Sequence, residues 1–191
     1  MKAILKTARL TLKPLSPDDA DLVVELFTDP VVKKHTGGPQ SEASIREEMR
    51  VSTRRGGNGC IGIWTIVRTE DGEKLGTVAL LPMPVDTQAT DFDSVVPGEY
   101  PDAEIEIGFF LKPSVWRQGY AVEACRRVLG FVFEESPLTE IVANFDPANS
   151  ASRGLLTKLG FVDRGFGRAY GVDAPRYTVT RDHWLAEQEN G

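Results

Sequence analysis

Trp116-Arg117-Gln118-Gly119-Tyr120-Ala121 decides how this chain is read. To its left, Ala103 to Leu111 reads as a strand. To its right, Ala121, Val122, Cys125, Val128, Leu129 and Val132 recur at helical spacing and predict a helix from about Arg117 to Glu134. Gly119 permits the tight turn between the two. A strand that feeds a glycine turn and then a helix N-terminus makes an anion site. The first backbone N–H groups there have no intrahelical acceptor, and the helix dipole adds about half a positive charge. Arg117 and Lys112 add side-chain cations at the same end. A ligand carrying phosphate suits this turn; the plainer alternative is a glycine that only allows the chain to bend.

Outward from that turn the pattern alternates between strand and helix. Arg9 to Leu15 alternates as a strand, and Ser16-Pro17-Asp18-Asp19 then starts a helix whose apolar face is Leu22, Val23, Leu26 and Phe27. Asp29-Pro30 ends it. A second helix is expected from Ser41 to about Arg54, with Ile45 and Met49 on one stripe. Ile61 to Arg68 and Lys74 to Leu81 read as strands joined through Glu70-Asp71-Gly72-Glu73. Residues 82–102 hold four prolines, five acids and no lysine or arginine, the composition of a long irregular excursion, and such loops tend to be functional or mobile. After the central helix, Thr139 to Phe145 reads as a strand. Asn149 or Ser150 caps a short helix with Leu155, Leu156 and Leu159 inward, and Gly160 closes it. Phe161 to Phe166 and Arg176 to Arg181 make the last strands. The order β-α-α-β-β-β-α-β-α-β-β predicts one α/β domain over residues 1–191. Its mixed sheet would have six to seven strands with helices on both faces, and a flexible tail from about 186.

The bulk composition excludes several classes. With 22 basic against 28 acidic side chains the net charge is −6, which argues against general binding to nucleic acid or an anionic membrane. No apolar run spans a bilayer, and the first residues lack a signal-peptide core. Cys60 and Cys125 are the only cysteines, so no disulfide scaffold is expected, and a cytoplasmic, reducing setting is the simplest expectation. His35 and His183 stand far apart without Cys or His at ligand spacing, so no metal site is expected. There is no Gly-x-Ser-x-Gly elbow and no Walker-type lysine loop.

Four segments in order carry a family resemblance. They are Asp29-Pro30-Val31-Val32; Glu106-Ile107-Gly108-Phe109-Phe110-Leu111 running through Pro113 to Trp116; Gly119-Tyr120-Ala121-Val122-Glu123-Ala124; and Asn149-Ser150-Ala151-Ser152 followed by Leu155, Lys158, Leu159, Gly160 and Phe161. Together they resemble the GNAT superfamily of acyl-CoA N-acyltransferases. Within it, the chain is most similar to the RimJ/RimL-like branch of ribosomal-protein-alanine N-acetyltransferases.

The resemblance implies a single-domain GNAT fold and acetyl-CoA as co-substrate. The backbone N–H groups of Gln118, Gly119, Tyr120, Ala121 and Val122, with Arg117, would hold the coenzyme A pyrophosphate. Arg117 stands where the family frequently has a second glycine, which bears on one close backbone approach. The pantetheine arm would lie between two splayed central strands, bonded by the backbone of Phe110 and Leu111 and by Asn149. Asn149 is equally a helix N-cap. The amine would attack the thioester directly, so Cys60 and Cys125 read as small core side chains.

The amine must first lose a proton, because an alkylammonium has a pKa near about 10 and a positioned base meets that need. Glu104 and Glu106 lie two apart, on one face of the predicted strand. Glutamates within a strand oppose its propensity, and such conflicts mark functional sites. Glu106 is the first choice because it matches the family's Glu-Ile-Gly segment; a solvated strand face is the alternative for both. The family's usual tyrosine acid is replaced by Leu156. Ser152, one turn earlier, could donate to the leaving thiolate, or serve only in the helix cap. His35 and Trp64 are expected to face the acceptor, with no role assigned. The acidic excursion either gathers a cationic amine or merely solubilises.

The expected activity is acetyl transfer to a primary amine, on a protein N-terminus or a small molecule. An antibiotic or polyamine acceptor on the same fold is an alternative. A non-catalytic acyl-CoA-binding or sensing module is the reading from another class. No nucleic acid or membrane partner is expected, and the resemblance implies a homodimer.

Overall fold

Alternating apolar and polar side chains build the centre of the protein. The computed structural model describes residues 4–189. Eight strands form one sheet: β1 (Leu5–Lys6), β2 (Leu10–Pro14), β3 (Gly62–Arg68), β4 (Lys74–Pro82), β5 (Ile105–Leu111), β6 (Glu140–Asn144), β7 (Val162–Ala169) and β8 (Val172–Thr180). They lie in the order β1-β2-β3-β4-β5-β6-β8-β7, and every pairing is antiparallel except β5 with β6. The helices are α1 (Ala20–Thr28), α2 (Glu42–Ser52), α3 (Tyr120–Glu135), α4 (Ser150–Lys158) and α5 (Arg181–Glu189). No described helix is long and apolar enough to cross a membrane.

Neighbouring residues of a strand point to opposite faces, and β3 shows where the helices sit. Trp64 is fully buried and meets Phe131 of α3 at 6.4 Å between ring centroids. Ile63 packs instead with Ile45 and Met49 of α2 and Val23 of α1. So α3 covers one face, and α1 and α2 cover the other. The α3 side holds the larger core, from Leu10 and Leu12 through Val78 and Leu80 to Val128, Leu129 and Val132. Each such side chain contributes about 1.5–3 kcal/mol on burial. Trp64 belongs to this core and does not face an acceptor.

The sheet is wider than the six to seven strands expected, because the short β1 precedes Arg9 and pairs with β2. The last hairpin is also longer than its sequence pattern. Gly165, Gly167 and Pro175 interrupt the apolar alternation, yet the strands pair through Phe166 and Pro175 to a Tyr170-Gly171 turn. Both turn residues have positive φ, 54° and 75°, the geometry that matches strand twist in a two-residue hairpin. In the span expected as a tail, residues 186–189 continue α5, whose Trp184 lies 6.1 Å from Phe133. Residues 190–191 lie outside the described residues. Pro82 closes β4; residues 83–102 are irregular as expected, apart from one short turn at Phe92–Ser94, but Phe92 and Val95 tuck into the core.

Gly76 is pressed against β5: a Cβ there would stand 2.1 Å from the Phe110 carbonyl oxygen. Neither atom sits on a flexible side chain, so the strands must separate to admit one. Gly76→Ala is expected to cost about 3 kcal/mol, the upper end of ordinary single substitutions. A urea titration checks this as a lowered midpoint at unchanged slope.

Candidate active site

β5 and β6 run parallel yet share a single register pair, Glu106 with Val142. Beyond it the strands part, and one edge of β5 lies open toward Leu111. Strand parity decides which backbone groups face the opening. The Met83 N–H donates to the Glu104 carbonyl at 2.8 Å and the Lys112 N–H to the Leu75 carbonyl at 2.9 Å. Even-numbered residues along this stretch therefore turn their backbone to β4, and Ile107, Phe109 and Leu111 turn theirs to the opening. Trp116 Nε1 donates to the Leu111 carbonyl at 2.8 Å from that side. The backbone role expected of Phe110 is corrected: its carbonyl lies against Gly76, and Phe109 takes the outward place. The Phe110 side chain meets Phe27 of α1 edge-on at 4.9 Å.

Glu106 stands where the strands part and is only 8% exposed. Its Oε1 accepts from the Asn144 backbone N–H at 3.0 Å and from Asn144 Nδ2 at 3.2 Å, and its Oε2 accepts from the Tyr170 hydroxyl. Burial pushes the carboxyl above the ordinary carboxylate value, against hydrogen bonds from Tyr170 and Asn144 that favour its charged form. A carboxylate shifted this way accepts protons more readily near neutral pH. Glu104 is placed differently. It precedes β5, is exposed, and forks with Arg176 of β8, Nη1 to Oε2 at 2.6 Å and Nη2 to Oε1. The structure separates the two glutamates: one lies at the parting of the strands, the other in an ion pair at the sheet's rim.

Tyr170 carries no signal in the sequence beyond the turn it shares with Gly171. Its N–H donates to the Pro84 carbonyl at 2.9 Å, and that of Gly171 to the Val85 carbonyl at 2.8 Å. The hairpin tip and the start of the acidic excursion thus hold each other beside Glu106.

The turn from Trp116 to Ala121 has the form of an anion cradle. Arg117 has φ 61° and Gly119 φ 82°, so the helix starts at Tyr120 rather than at Arg117. The Glu123 N–H donates to the Gly119 carbonyl at 3.0 Å and closes the first turn, which leaves the amides of Tyr120, Ala121 and Val122 without intrahelical acceptors. Arg117 and Gln118 are exposed beside them. Lys112 is not part of this end: its Nζ pairs with Glu25 of α1 at 2.9 Å. Arg9 takes the neighbouring position. It donates to the Gln118 carbonyl at 3.1 Å, pairs with Glu123 at 2.6 Å and lies 4.4 Å from the centre of the Tyr120 ring. Burial pushes Glu123 up, but hydrogen bonds from Thr7 and Arg9 outweigh it and hold the carboxyl below its ordinary value. An acid in the first turn of a helix after a glycine was the available signal for this clamp.

Asn149 caps α4, its Oδ1 accepting from the Ser152 N–H at 3.1 Å. Ser152 is half-buried and Leu156 is buried. The connector between α1 and α2 passes over this end of the sheet. His35 Nδ1 and Asp146 Oδ2 lie 2.8 Å apart, joining the connector to the turn after β6. Lys33, 7% exposed, places Nζ 4.7 Å and 5.1 Å from the ring centres of Phe27 and Phe110. Burial lowers its pKa. Cys60 and Cys125 are buried free thiols, both raised by that burial, and neither is an activated nucleophile. Among the described residues no three His, Cys, Asp or Glu side chains are grouped to hold a metal.

A parallel pair parting beside a helix N-terminus defines a class, and comparison with known proteins agrees. Residues 9–162 match the Acetyltransferase (GNAT) domain, and the chain belongs to this family. It is an acetyl-CoA-dependent acyltransferase. The chain is 30% identical to the FsC-acetyl coenzyme A-N(2)-transacetylase of Aspergillus fumigatus over 97% of its own length and 79% of that protein's. It is 27% identical to an uncharacterized N-acetyltransferase, YoaA, of Bacillus subtilis, over 89% of each chain. Among solved structures it shares the fold of an acetyltransferase from Agrobacterium tumefaciens (TM-score 0.72, 22% identity, 94% of this chain and 95% of that one). It also shares that of aminoglycoside acetyltransferase AAC(6')-Ib in complex with coenzyme A (TM-score 0.72, 16% identity, 94% and 99%).

Arg117 in left-handed backbone carries strain of about 1–2 kcal/mol, and a glycine there would give back about 0.4–1 kcal/mol through unfolded-state freedom. Arg117→Gly should therefore gain between about 0 and about 1.6 kcal/mol in a urea titration. Isothermal titration is expected to show weaker binding of coenzyme A from the lost cation, with a reduced dependence on salt.

Proposed function

We propose that this chain transfers the acetyl group of acetyl-CoA to the primary amine of a small molecule, with Glu106 as the base. The observation that carries this reading is the buried Glu106 carboxylate at the point where β5 and β6 part. An acyl-pantetheine arm threading that opening would bond the outward backbone of Phe109 and Leu111. The amides of Gln118 to Val122 and the Arg117 guanidinium would hold its pyrophosphate. The thioester then lies near Glu106. An acceptor ammonium first gives a proton to Glu106; the neutral amine then attacks the carbonyl carbon, the C–N bond forms, the C–S bond breaks, and the proton that nitrogen loses on attack goes to the departing thiolate. Asn149, with Oδ1 engaged in the cap, would offer its Nδ2 donors to the pantetheine amide, and Ser152, in the first turn of the same helix, would assist the departing sulfur. Glu104, held by Arg176, is assigned no step.

The small-molecule acceptor is favoured by the relative from Aspergillus fumigatus, which is named as an N(2)-transacetylase and which matches nearly the whole chain. A protein N-terminus is the second acceptor, in keeping with the RimJ/RimL-like resemblance. A fold shared at 15% identity with a ribosomal-protein-serine acetyltransferase from Vibrio cholerae points the same way (TM-score 0.66). Thiol release from acetyl-CoA across a panel of hydroxyalkyl amines, amino-acid amides, polyamines, aminoglycosides and N-terminal peptides tests both. Turnover with peptides alone would overturn the small-molecule reading. Binding of acetyl-CoA with no turnover across the panel would favour a sensing module.

Glu106→Gln is expected to lower kcat/KM more than tenfold while the fold, followed by circular dichroism, persists. Because burial raises the carboxyl, the wild-type rate should climb with pH through a range above the ordinary glutamate value of about 4.3. That step should be missing in Glu106→Gln.

A further inference from the structure

We propose that Tyr170, at the tip of the β7–β8 hairpin, is a catalytic residue that carries the acceptor's proton to Glu106. The inference rests on the reading of Glu106 as the base and adds the path by which the proton arrives. Glu106 has little free surface. Oε1 already accepts two hydrogen bonds from Asn144, and Oε2 accepts the Tyr170 hydroxyl. A carboxylate oxygen offers about two acceptor sites, so Oε1 is filled and Oε2 is half filled by tyrosine. The Tyr170 hydroxyl, by contrast, donates to Glu106 and keeps its oxygen lone pairs, with no other partner among the described residues.

The transfer balances without a further reagent. A proton leaves the acceptor ammonium for Tyr170 Oη as the proton of Tyr170 passes to Glu106 Oε2, leaving a neutral amine, a neutral tyrosine and a protonated Glu106. No C–S or C–N bond changes in this step. Attack on the thioester follows: the C–N bond forms, the C–S bond breaks, and the proton that nitrogen then loses is taken up by the released thiolate. A phenol is suited to such a relay because one atom both donates and accepts. The backbone holds it in place: the turn amides of Tyr170 and Gly171 are bonded to Pro84 and Val85, and φ of Tyr170 is 54°, a conformation that fixes the ring's departure from the hairpin.

Tyr170→Phe removes the hydroxyl and keeps the ring. The relay predicts at least a tenfold fall in kcat, a KM for acetyl-CoA within twofold of wild type, and unchanged circular dichroism. Tyr170→Phe combined with Glu106→Gln should be no slower than the slower single variant, because the two act as one unit. Placing 3,5-difluorotyrosine at 170 leaves the packing nearly unchanged and acidifies the phenol, and it should alter kcat more than threefold. If Glu106→Gln loses activity while Tyr170→Phe turns over near the wild-type rate, the relay is overturned and Glu106 stands as a direct base. If both variants retain activity, the reading of Glu106 itself fails. Should Tyr170→Phe not fold, the fluorinated protein decides: an unchanged kcat overturns the relay.

Discussion

A sheet that parts in its middle is an unusual thing for a chain to maintain, and most of this structure follows from how the parting is held. β5 and β6 make one register pair, so the outward backbone of Phe109 and Leu111 lacks strand partners. Unpaired buried backbone groups cost about 1–3 kcal/mol each, which favours closing the sheet. What opposes closure is pairing elsewhere. β6 is bonded along its length to β8, from Glu140 with Thr180 to Asn144 with Arg176, and β5 is bonded along its length to β4. Between them a side chain replaces the missing ladder, with Glu106 bonding both the backbone and the side chain of Asn144. The Trp116 indole takes up the Leu111 carbonyl in the same way. The open edge is thus a strand template in the sense that peptide-binding edges are, and an amide-bearing arm can satisfy what the protein leaves unmade.

The charge arrangement at the adjoining helix follows from the same economy of side chains. A chain of net charge −6 binding a polyanion must concentrate its positive potential locally. The proposed cradle does so mainly with backbone. Lys112 is drawn to Glu25, and Arg9 is engaged with Glu123 and the Gln118 carbonyl. Arg9 shapes the turn from behind. Among the described residues, Arg117 is then a cation left beside the free amides of α3, and its left-handed φ is the local strain through which a side chain stands where glycine would sit freely.

Much of the fold was legible because it is local. The periodicity of Ala121 to Val132 found α3, the alternation around Leu10 found β2, and a proline-rich acidic run found the excursion at 82–102. The β7–β8 hairpin was only half legible, since Gly165, Gly167 and Pro175 break the alternation that marks a strand while the pairing survives through them. The candidate site's local geometry was legible where residue type and family pattern coincide: Gly119 does precede the N-terminus of α3, and Asn149 does cap α4. It was misread where the answer depends on a distant partner. Glu104 and Glu106 look equivalent two residues apart, yet Arg176 claims one and Tyr170 with Asn144 the other. Phe110 and Phe109 are likewise indistinguishable in sequence. Which of them turns its backbone to the opening depends on which edge of β5 is bonded to β4, and no local pattern encodes that.

The connector between α1 and α2 shows what the parting demands of the rest of the chain. It touches both sides of the opening: Lys33 rests on Phe110 of β5, and His35 bonds Asp146 just after β6. Its own shape is set locally, by the Thr36 and Gly38 amides turning back to the Lys33 carbonyl. The His35–Asp146 contact is partly exposed, so water screens it and little energy holds the span down. Lys33 is buried against aromatic faces, with its charged form disfavoured by that burial. A strap with a firm internal turn and weak anchors at both ends can lift as a unit without unfolding. That is the property a cover needs if an acceptor is to reach Glu106 from the helix side while the acyl arm occupies the edge of β5.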